Sequence, residues 1–93
     1  MNHVDDHYHF GTVLEKKGDL EGAIAEYRTA LRLNPNEADA RYNLAVALQA
    51  KGDLVSSRKE YKKALRLIPK TSENQAKIKS IKSVLTELAG AMP

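Results

Sequence analysis

A repeat with a period of 34 residues constrains the fold of this chain more than any other feature. The tetrapeptide KGDL occupies residues 17–20 and returns at residues 51–54. Between residues 4–37 and 38–71, 14 of 34 positions are identical. Self-similarity at a fixed period of this length is typical of arrays in which identical supersecondary units stack on one another.

Each unit is predicted to contain two helices separated by the KGDL turn. Gly18 can adopt the left-handed conformation that ends a helix, and Asp19 can accept hydrogen bonds from the first N–H groups of the next helix. Pro35 disfavours helical geometry in the residue before it, so the second helix ends there, and Asn36 is expected to cap the helix that follows. The apolar residues of the first unit recur at the three- and four-residue steps of one helical face: Phe10, Val13, Leu14, Leu20, Ala23, Ile24, Tyr27, Ala30 and Leu31.

At these positions the sequence resembles the tetratricopeptide repeat (TPR) family. The first unit has His7, Phe10, Gly11, Leu14, Gly18, Ala23, Tyr27, Ala30 and Pro35 at the family's signature positions, and the second has Arg41, Leu44, Ala45, Leu48, Gly52, Ser57, Tyr61, Ala64 and Pro69. Residues 4–37 and 38–71 would each form one repeat. His7 and Arg41 depart from the pattern, which has a large aromatic residue there.

The segment after the second repeat is predicted to be a single closing helix over residues 72–90. Ser72 and Gln75 form a potential capping box, and Ile78, Ile81, Leu85 and Leu88 make a narrow apolar stripe. Lysines 79 and 82 occupy positions that in a complete repeat pack on a second helix, so the array should end there with a polar outer surface. The prediction is an all-α solenoid in one domain, with helices over 4–17, 20–33, 37–51, 54–67 and 72–90 in a right-handed superhelical stack.

Composition excludes several classes of protein. The 93 residues include no cysteine and no apolar run long enough to span a membrane. The N-terminal residues lack the basic and apolar regions of a signal peptide, so a cytoplasmic protein is expected. The sequence shows no nucleophile with a placed base and no phosphate-binding loop, so neither an enzyme nor a cofactor is expected.

The resemblance implies a concave groove lined by the first helix of each unit, in which a peptide or helix of a partner protein binds. It assigns the site to six residues: Tyr8, Thr12, Tyr42, Asn43, Val46 and Lys77. One branch of the family clamps C-terminal carboxylates at five positions, of which only Asn43 matches here, and Glu73 would repel such a ligand. The expected role is that of a non-catalytic scaffold or adaptor.

A metal site and a nucleic-acid site are both less favoured by the sequence than the peptide groove. His3, His7 and His9 lie close in sequence, but a closed metal site needs three or four well-held ligands, and these lie at a chain end. The net charge of +3 divides into −3 for residues 1–50 and +6 for 51–93, and Arg58, Lys62 and Arg66 form a basic stripe. Without a free aromatic platform this stripe argues for solvent or an acidic protein surface rather than for nucleic acid.

The first helix has no predicted helix to cover its outer side. Val4, Tyr8 and Val13 would lie partly on this open edge. Two alternatives follow from it: the chain is part of a longer array, or the edge meets a second copy. The second alternative defines a rival function, a self-association module.

Overall fold

The computed structural model describes residues 3–91, with side chains from residue 5 onward, so the side chains of His3 and Val4 lie outside the described residues. Across this range the chain forms helices and no strand, which confirms the all-α prediction. The elements are α1 (His3–Lys16), α2 (Leu20–Leu33), α3 (Ala38–Lys51), α4 (Leu54–Leu67), a 3-10 turn (Ser72–Asn74) and α5 (Gln75–Ala91). Helices α1 and α2 pair with each other, as do α3 and α4, while α2 also packs on α3 and α4 on α5.

The two KGDL turns have the predicted geometry. Gly18 and Gly52 have φ angles of +85° and +96°, in the left-handed region that only glycine adopts without strain. The Oδ1 atom of Asp19 accepts a hydrogen bond from the Gly22 N–H at 2.9 Å, and Asp53 accepts one from Ser56 at 3.2 Å. The same four residues therefore end one helix and begin the next in both units.

Two predicted helix caps are wrong. Glu37, not Asn36, precedes α3 and makes no side-chain cap, while the Asn36 N–H donates to Asn34 Oδ1 within the turn. Ser72 begins a 3-10 turn instead of capping α5, and the Gln75 amide donates to the Thr71 carbonyl at 3.2 Å. The tight turn displaces the start of α5 by three residues from the predicted start at residue 72.

The core consists of two hydrophobic clusters, each built around one tyrosine. Tyr27 and Tyr61 are both buried, and each hydroxyl donates to the side chain twelve residues earlier, Glu15 or Gln49, at 2.8 Å. The first cluster joins α2 to α3, and the second joins α3 and α4 to α5 through Ile68, Ile78, Ile81 and Leu88. The equivalent surroundings of the two tyrosines show that the sequence repeat is also a structural repeat.

A polar pair also recurs between the two helices of each unit. His7 Nδ1 lies 2.6 Å from Glu26 Oε2 in the first unit, and Arg41 Nη1 lies 2.7 Å from Glu60 Oε1 in the second. Arg41 additionally donates to the Pro35 carbonyl from Nε and Nη2. The residues that depart from the aromatic pattern thus connect the two helices through a carboxylate that both units share.

Helix α5 has one buried face and one exposed face. Ile78, Ile81 and Leu88 are buried against the second cluster, whereas Lys79 and Lys82 are exposed. This is the distribution expected of a helix that closes a stack.

Candidate peptide-binding groove

The six residues assigned to the groove lie on α1, α3 and α5, and all six are half-buried. This surface is termed the groove face: Tyr8, Thr12, Tyr42, Asn43, Val46 and Lys77. Side chains at this level of exposure can touch a ligand while their positions are fixed by neighbours, which reduces the entropy lost on binding.

At one end of the groove face, Thr12 from α1 and Asn43 from α3 line a single open cavity of about 210 Å³. Glu15, Lys16 and the edge of Tyr27 complete its walls. The Thr12 hydroxyl donates to the His9 carbonyl at 2.8 Å, and the Tyr27 hydroxyl donates to Glu15. A hydroxyl, an amide, a carboxylate and an ammonium group therefore surround a space with an aromatic wall.

A second group of side chains forms one turn away, where α5 meets α3. Lys77 Nζ lies 2.9 Å from Asp39 Oδ1 and 5.3 Å from the centroid of the Tyr42 ring. The Tyr42 ring in turn stands edge-on to Tyr61, with 5.9 Å between centroids. Lys77, one of the six residues assigned to the groove, is thus held by a carboxylate and an aromatic face of the same molecule.

The two core tyrosines remain protonated at neutral pH. Burial raises the pKa of Tyr27, and the adjacent Glu15 carboxylate raises it further by accepting its hydrogen bond and by its charge. Burial, with a smaller effect of Tyr42, raises the pKa of Tyr61 to about 12. Both hydroxyls therefore act as hydrogen-bond donors that fix Glu15 and Gln49 on α1 and α3.

The structure does not bring all six residues into one pocket. Tyr8 packs against the first cluster, with its ring 6.2 Å from that of Tyr27, and Val46 packs against the second cluster. Tyr27 and Glu15, by contrast, line the cavity with Thr12 and Asn43. The role of Tyr27 was missed because its helical position predicts a core residue, and no sequence signal shows that one ring edge reaches the cavity.

A separate apolar surface lies on the outer side of α1. Phe10 and Val13 are 57% and 48% exposed, whereas Leu44 at the position of Phe10 in the second unit is 1% exposed. The sequence places Phe10 with Leu14 on one apolar helical face, yet Phe10 is exposed because no described helix covers it in the way that α2 covers Leu44. This surface, formed by His7, Phe10 and Val13, is termed the N-terminal face.

Among the described residues, no group of three or more His, Asp or Glu side chains is arranged to hold a metal ion. None of the helices within residues 3–91 combines the length and the apolar character that a bilayer crossing requires.

Comparisons with known proteins agree with this architecture. Sequence profiles described as TPR repeat and tetratricopeptide repeat match residues 11–52 and 38–71, respectively. No curated protein matches the chain in sequence. Among solved structures, the type III secretion translocator chaperone SycD of Yersinia enterocolitica superimposes with a TM-score of 0.83 at 20% identity. The match covers 89% of this chain and 57% of the SycD chain, and at this identity it shows a shared fold alone.

Proposed function

Because the chain belongs to the tetratricopeptide repeat family, we propose that it is a non-catalytic scaffold or adaptor whose groove face binds a segment of a partner protein. The ligand is an extended peptide or one exposed helix. No reaction is assigned to the groove, which offers contacts but no activated nucleophile beside a base.

The observation that carries this proposal is the cavity shared by Thr12 and Asn43. The Asn43 amide has both donor and acceptor atoms, so it can pair with the N–H and C=O groups of an extended main chain. The aromatic wall of Tyr27 offers apolar area beside that polar group, as ligand pockets commonly do. Two helices from different units supply these contacts, which explains why a single unit would not form the site.

The Lys77–Asp39 pair provides a second contact for an acidic ligand. The Lys77 and Asp39 side chains are 40% and 60% exposed, so the pair contributes on the order of 0–1 kcal/mol. A ligand carboxylate can therefore replace Asp39 beside Lys77 at little cost. Tyr42, directly under the ammonium group, would then contact the ligand's neighbouring apolar atoms.

Selection from a displayed peptide library on the immobilised protein tests the proposal. The dissociation constant of a selected peptide is measured for the wild type, for Asn43→Ala and for a control, Lys62→Gln, which lies on the exposed surface of α4. We expect Asn43→Ala to weaken binding by about fivefold or more, since an unpaired polar group in the ligand costs roughly 1–3 kcal/mol. The control should bind as the wild type does.

Chemical-shift mapping with the same peptide supplies the location. The largest changes should fall on residues of the groove face, with helical content unchanged in each variant. Changes confined to α2 and α4, or equal affinity of Asn43→Ala and the wild type, would reject the groove assignment.

A second candidate function is self-association through the N-terminal face. A comparison of the two units favours it: the helix that covers Leu44 and Ala47 in the second unit has no described counterpart over Phe10 and Val13 in the first. A second copy can cover these apolar side chains with its own, as in an isologous interface. Sedimentation across a concentration series should then show a dimer for the wild type and a monomer for Phe10→Ser. A monomeric wild type at all concentrations excludes this candidate.

A further inference from the structure

Two adjoining cavities, of about 290 and 250 Å³, lie between α2 and α4, where the start of α3 forms their floor. Both are lined by Arg41 and Lys63, so they form one continuous depression. It is termed the basic trough after its five cationic residues: Arg28, Arg32, Arg41, Lys63 and Arg66. None of these residues belongs to the groove face.

The charges that line the trough are unbalanced. Its one carboxylate belongs to Glu60, which is buried and already paired with Arg41 at 2.7 Å and Lys63 at 3.8 Å. Within the described part of the chain, Arg28 and Arg66 are exposed and make no ion pair. Hydrogen bonds from Ser56 and, to a smaller extent, the charge of nearby Arg28 lower the pKa of the Asp53 carboxylate. Most of the positive charge of the trough is nevertheless left for a ligand to neutralise.

The arrangement of these cations is costly without a ligand. Arg28 and Arg32 are four residues apart on α2, and Lys63 and Arg66 are three apart on α4, spacings at which like charges repel along a helix. An anionic ligand between the two helices relieves both repulsions at once. Planar guanidinium groups also bind carboxylates through two parallel hydrogen bonds, which an isolated lysine cannot do.

The trough also has an apolar component. Leu31 and Leu44 line the first cavity but are buried, whereas Leu67, which lines the second, is half-buried and supplies uncharged surface beside the guanidinium groups. No aromatic side chain lines either cavity, so nucleic-acid bases would find no ring on which to stack. Alternating carboxylates and aliphatic side chains, as in an acidic protein segment, match this lining better than a phosphodiester backbone does.

We propose that the basic trough is a second binding site, which takes an Asp- and Glu-rich segment of a partner protein. Carboxylates of the segment pair with Arg28, Arg32 and Arg66, and an aliphatic side chain of the segment contacts the half-buried Leu67. The site is independent of the groove face and would remain if the groove assignment failed.

Fluorescence anisotropy tests the proposal with a labelled peptide of repeated Glu-Leu-Glu-Asp units. The comparison variant is Arg28→Gln with Arg66→Gln, and the control is Lys62→Gln with Lys79→Gln, which removes the same net charge outside the trough. Circular dichroism checks that both double variants retain the helices. A Glu-to-Gln version of the peptide and an oligothymidylate of equal length serve as further probes.

We expect the acidic peptide to bind the wild type, and to bind more weakly as salt is raised. The trough variant should bind it roughly three- to tenfold more weakly, the sum of two exposed ion pairs, while the control changes by less than about twofold.

Equal losses in both variants, or no binding at low salt, would overturn the proposal. Tighter binding of oligothymidylate with the same dependence on Arg28 and Arg66 would overturn it in favour of nucleic acid. A salt-sensitive dimer that the trough variant abolishes would overturn it in favour of a second copy.

Discussion

The two polar pairs that join the helices of each unit allow a matched test of how burial sets their energy. The Arg41 and Glu60 side chains are 15% and 9% exposed, whereas the His7 and Glu26 side chains are 31% and 30% exposed. Arg41 also contacts the second Glu60 oxygen at 3.4 Å, and Lys63 Nζ lies 3.8 Å from that same oxygen. Replacement of each glutamate by glutamine removes one charge and keeps the shape, so the difference between the two variants reports the environment.

We expect Glu60→Gln to lower the free energy of unfolding by about 2 kcal/mol, within the range for hydrogen bonds to charged groups. The loss is smaller than for complete removal of a buried partner, about 3–5 kcal/mol, because glutamine still offers Arg41 one acceptor. Glu26→Gln should cost less than about 1 kcal/mol, as exposed pairs do, since its partner histidine carries a full charge only when protonated. In a domain of this size the Glu60 variant should melt about 8–16 °C lower.

Urea denaturation followed by circular dichroism measures both changes, and double-mutant cycles isolate the pair energies. The cycle of Arg41→Gln with Glu60→Gln should give a coupling of at least about 1 kcal/mol, and the cycle of His7→Gln with Glu26→Gln less than half of that. If the two glutamate variants lose equal stability, or Glu60→Gln loses none, burial does not set the strength of these pairs.

Three further changes have expected outcomes that thermal melts can check. Gly52→Ala should cost about 1–2 kcal/mol because the φ angle of +96° strains alanine, and Gly52→Asn should cost less; equal losses would contradict this. Gly11→Ala should lower the melting temperature, since the added Cβ would lie 2.5 Å from the buried Tyr27 ring. The cost of this overpacking exceeds the gain of about 1 kcal/mol in helix propensity, and a higher melting temperature would contradict the prediction. Because the pKa values of Tyr27 and Tyr61 are raised in the fold, the two neutral hydroxyls contribute fully to stability below pH 10, the ordinary tyrosine pKa. This contribution falls by about 1.4 kcal/mol per pH unit and per tyrosine as the pH rises toward 12. The double Phe variant should lose that dependence, and an unchanged alkaline profile in that variant would refute the prediction.

The sequence predicts the helices well because the information for them is local and written twice. Gly18 and Asp19 define a turn by backbone conformation and capping alone, and the structure has both features as expected. The failures at Asn36 and Ser72 occur where two turn geometries compete. At Asn36 an Asx-type hydrogen bond within the turn is made in place of the helix cap, and residue types alone do not decide between them.

The candidate sites are less accessible to sequence reasoning because they depend on which helices meet. Glu60 and Arg41 are 19 residues apart, and the same separation of Glu26 from His7 was the available signal for these pairs. The basic trough was only partly visible as a stripe along α4. Its other cations, Arg28 and Arg32, come from α2, so their proximity to Lys63 requires the packing of both helices on α3.

Comparison of the two units separates packing from binding on the groove face, and this leads to one further prediction. Tyr42 has an identical counterpart in Tyr8, and each ring packs on the core tyrosine of its unit. Asn43 corresponds to His9, so the amide is not required by the architecture that both units share. Tyr42→Ala should therefore lower the stability by about 2 kcal/mol, since it removes a half-buried ring, and it should also weaken binding.

Asn43→Ala should weaken binding to a similar extent with a loss of stability of about 1 kcal/mol or less, the size of the single hydrogen bond between this half-buried amide and Tyr27. Urea denaturation and peptide titration on the same two variants measure the two quantities independently. A large stability loss in Asn43→Ala would mean that the amide supports the fold through the Tyr27 hydroxyl, beside which it lies. The residue that differs between the units would then be structural, and the cavity of Thr12 and Asn43 would no longer support a binding site.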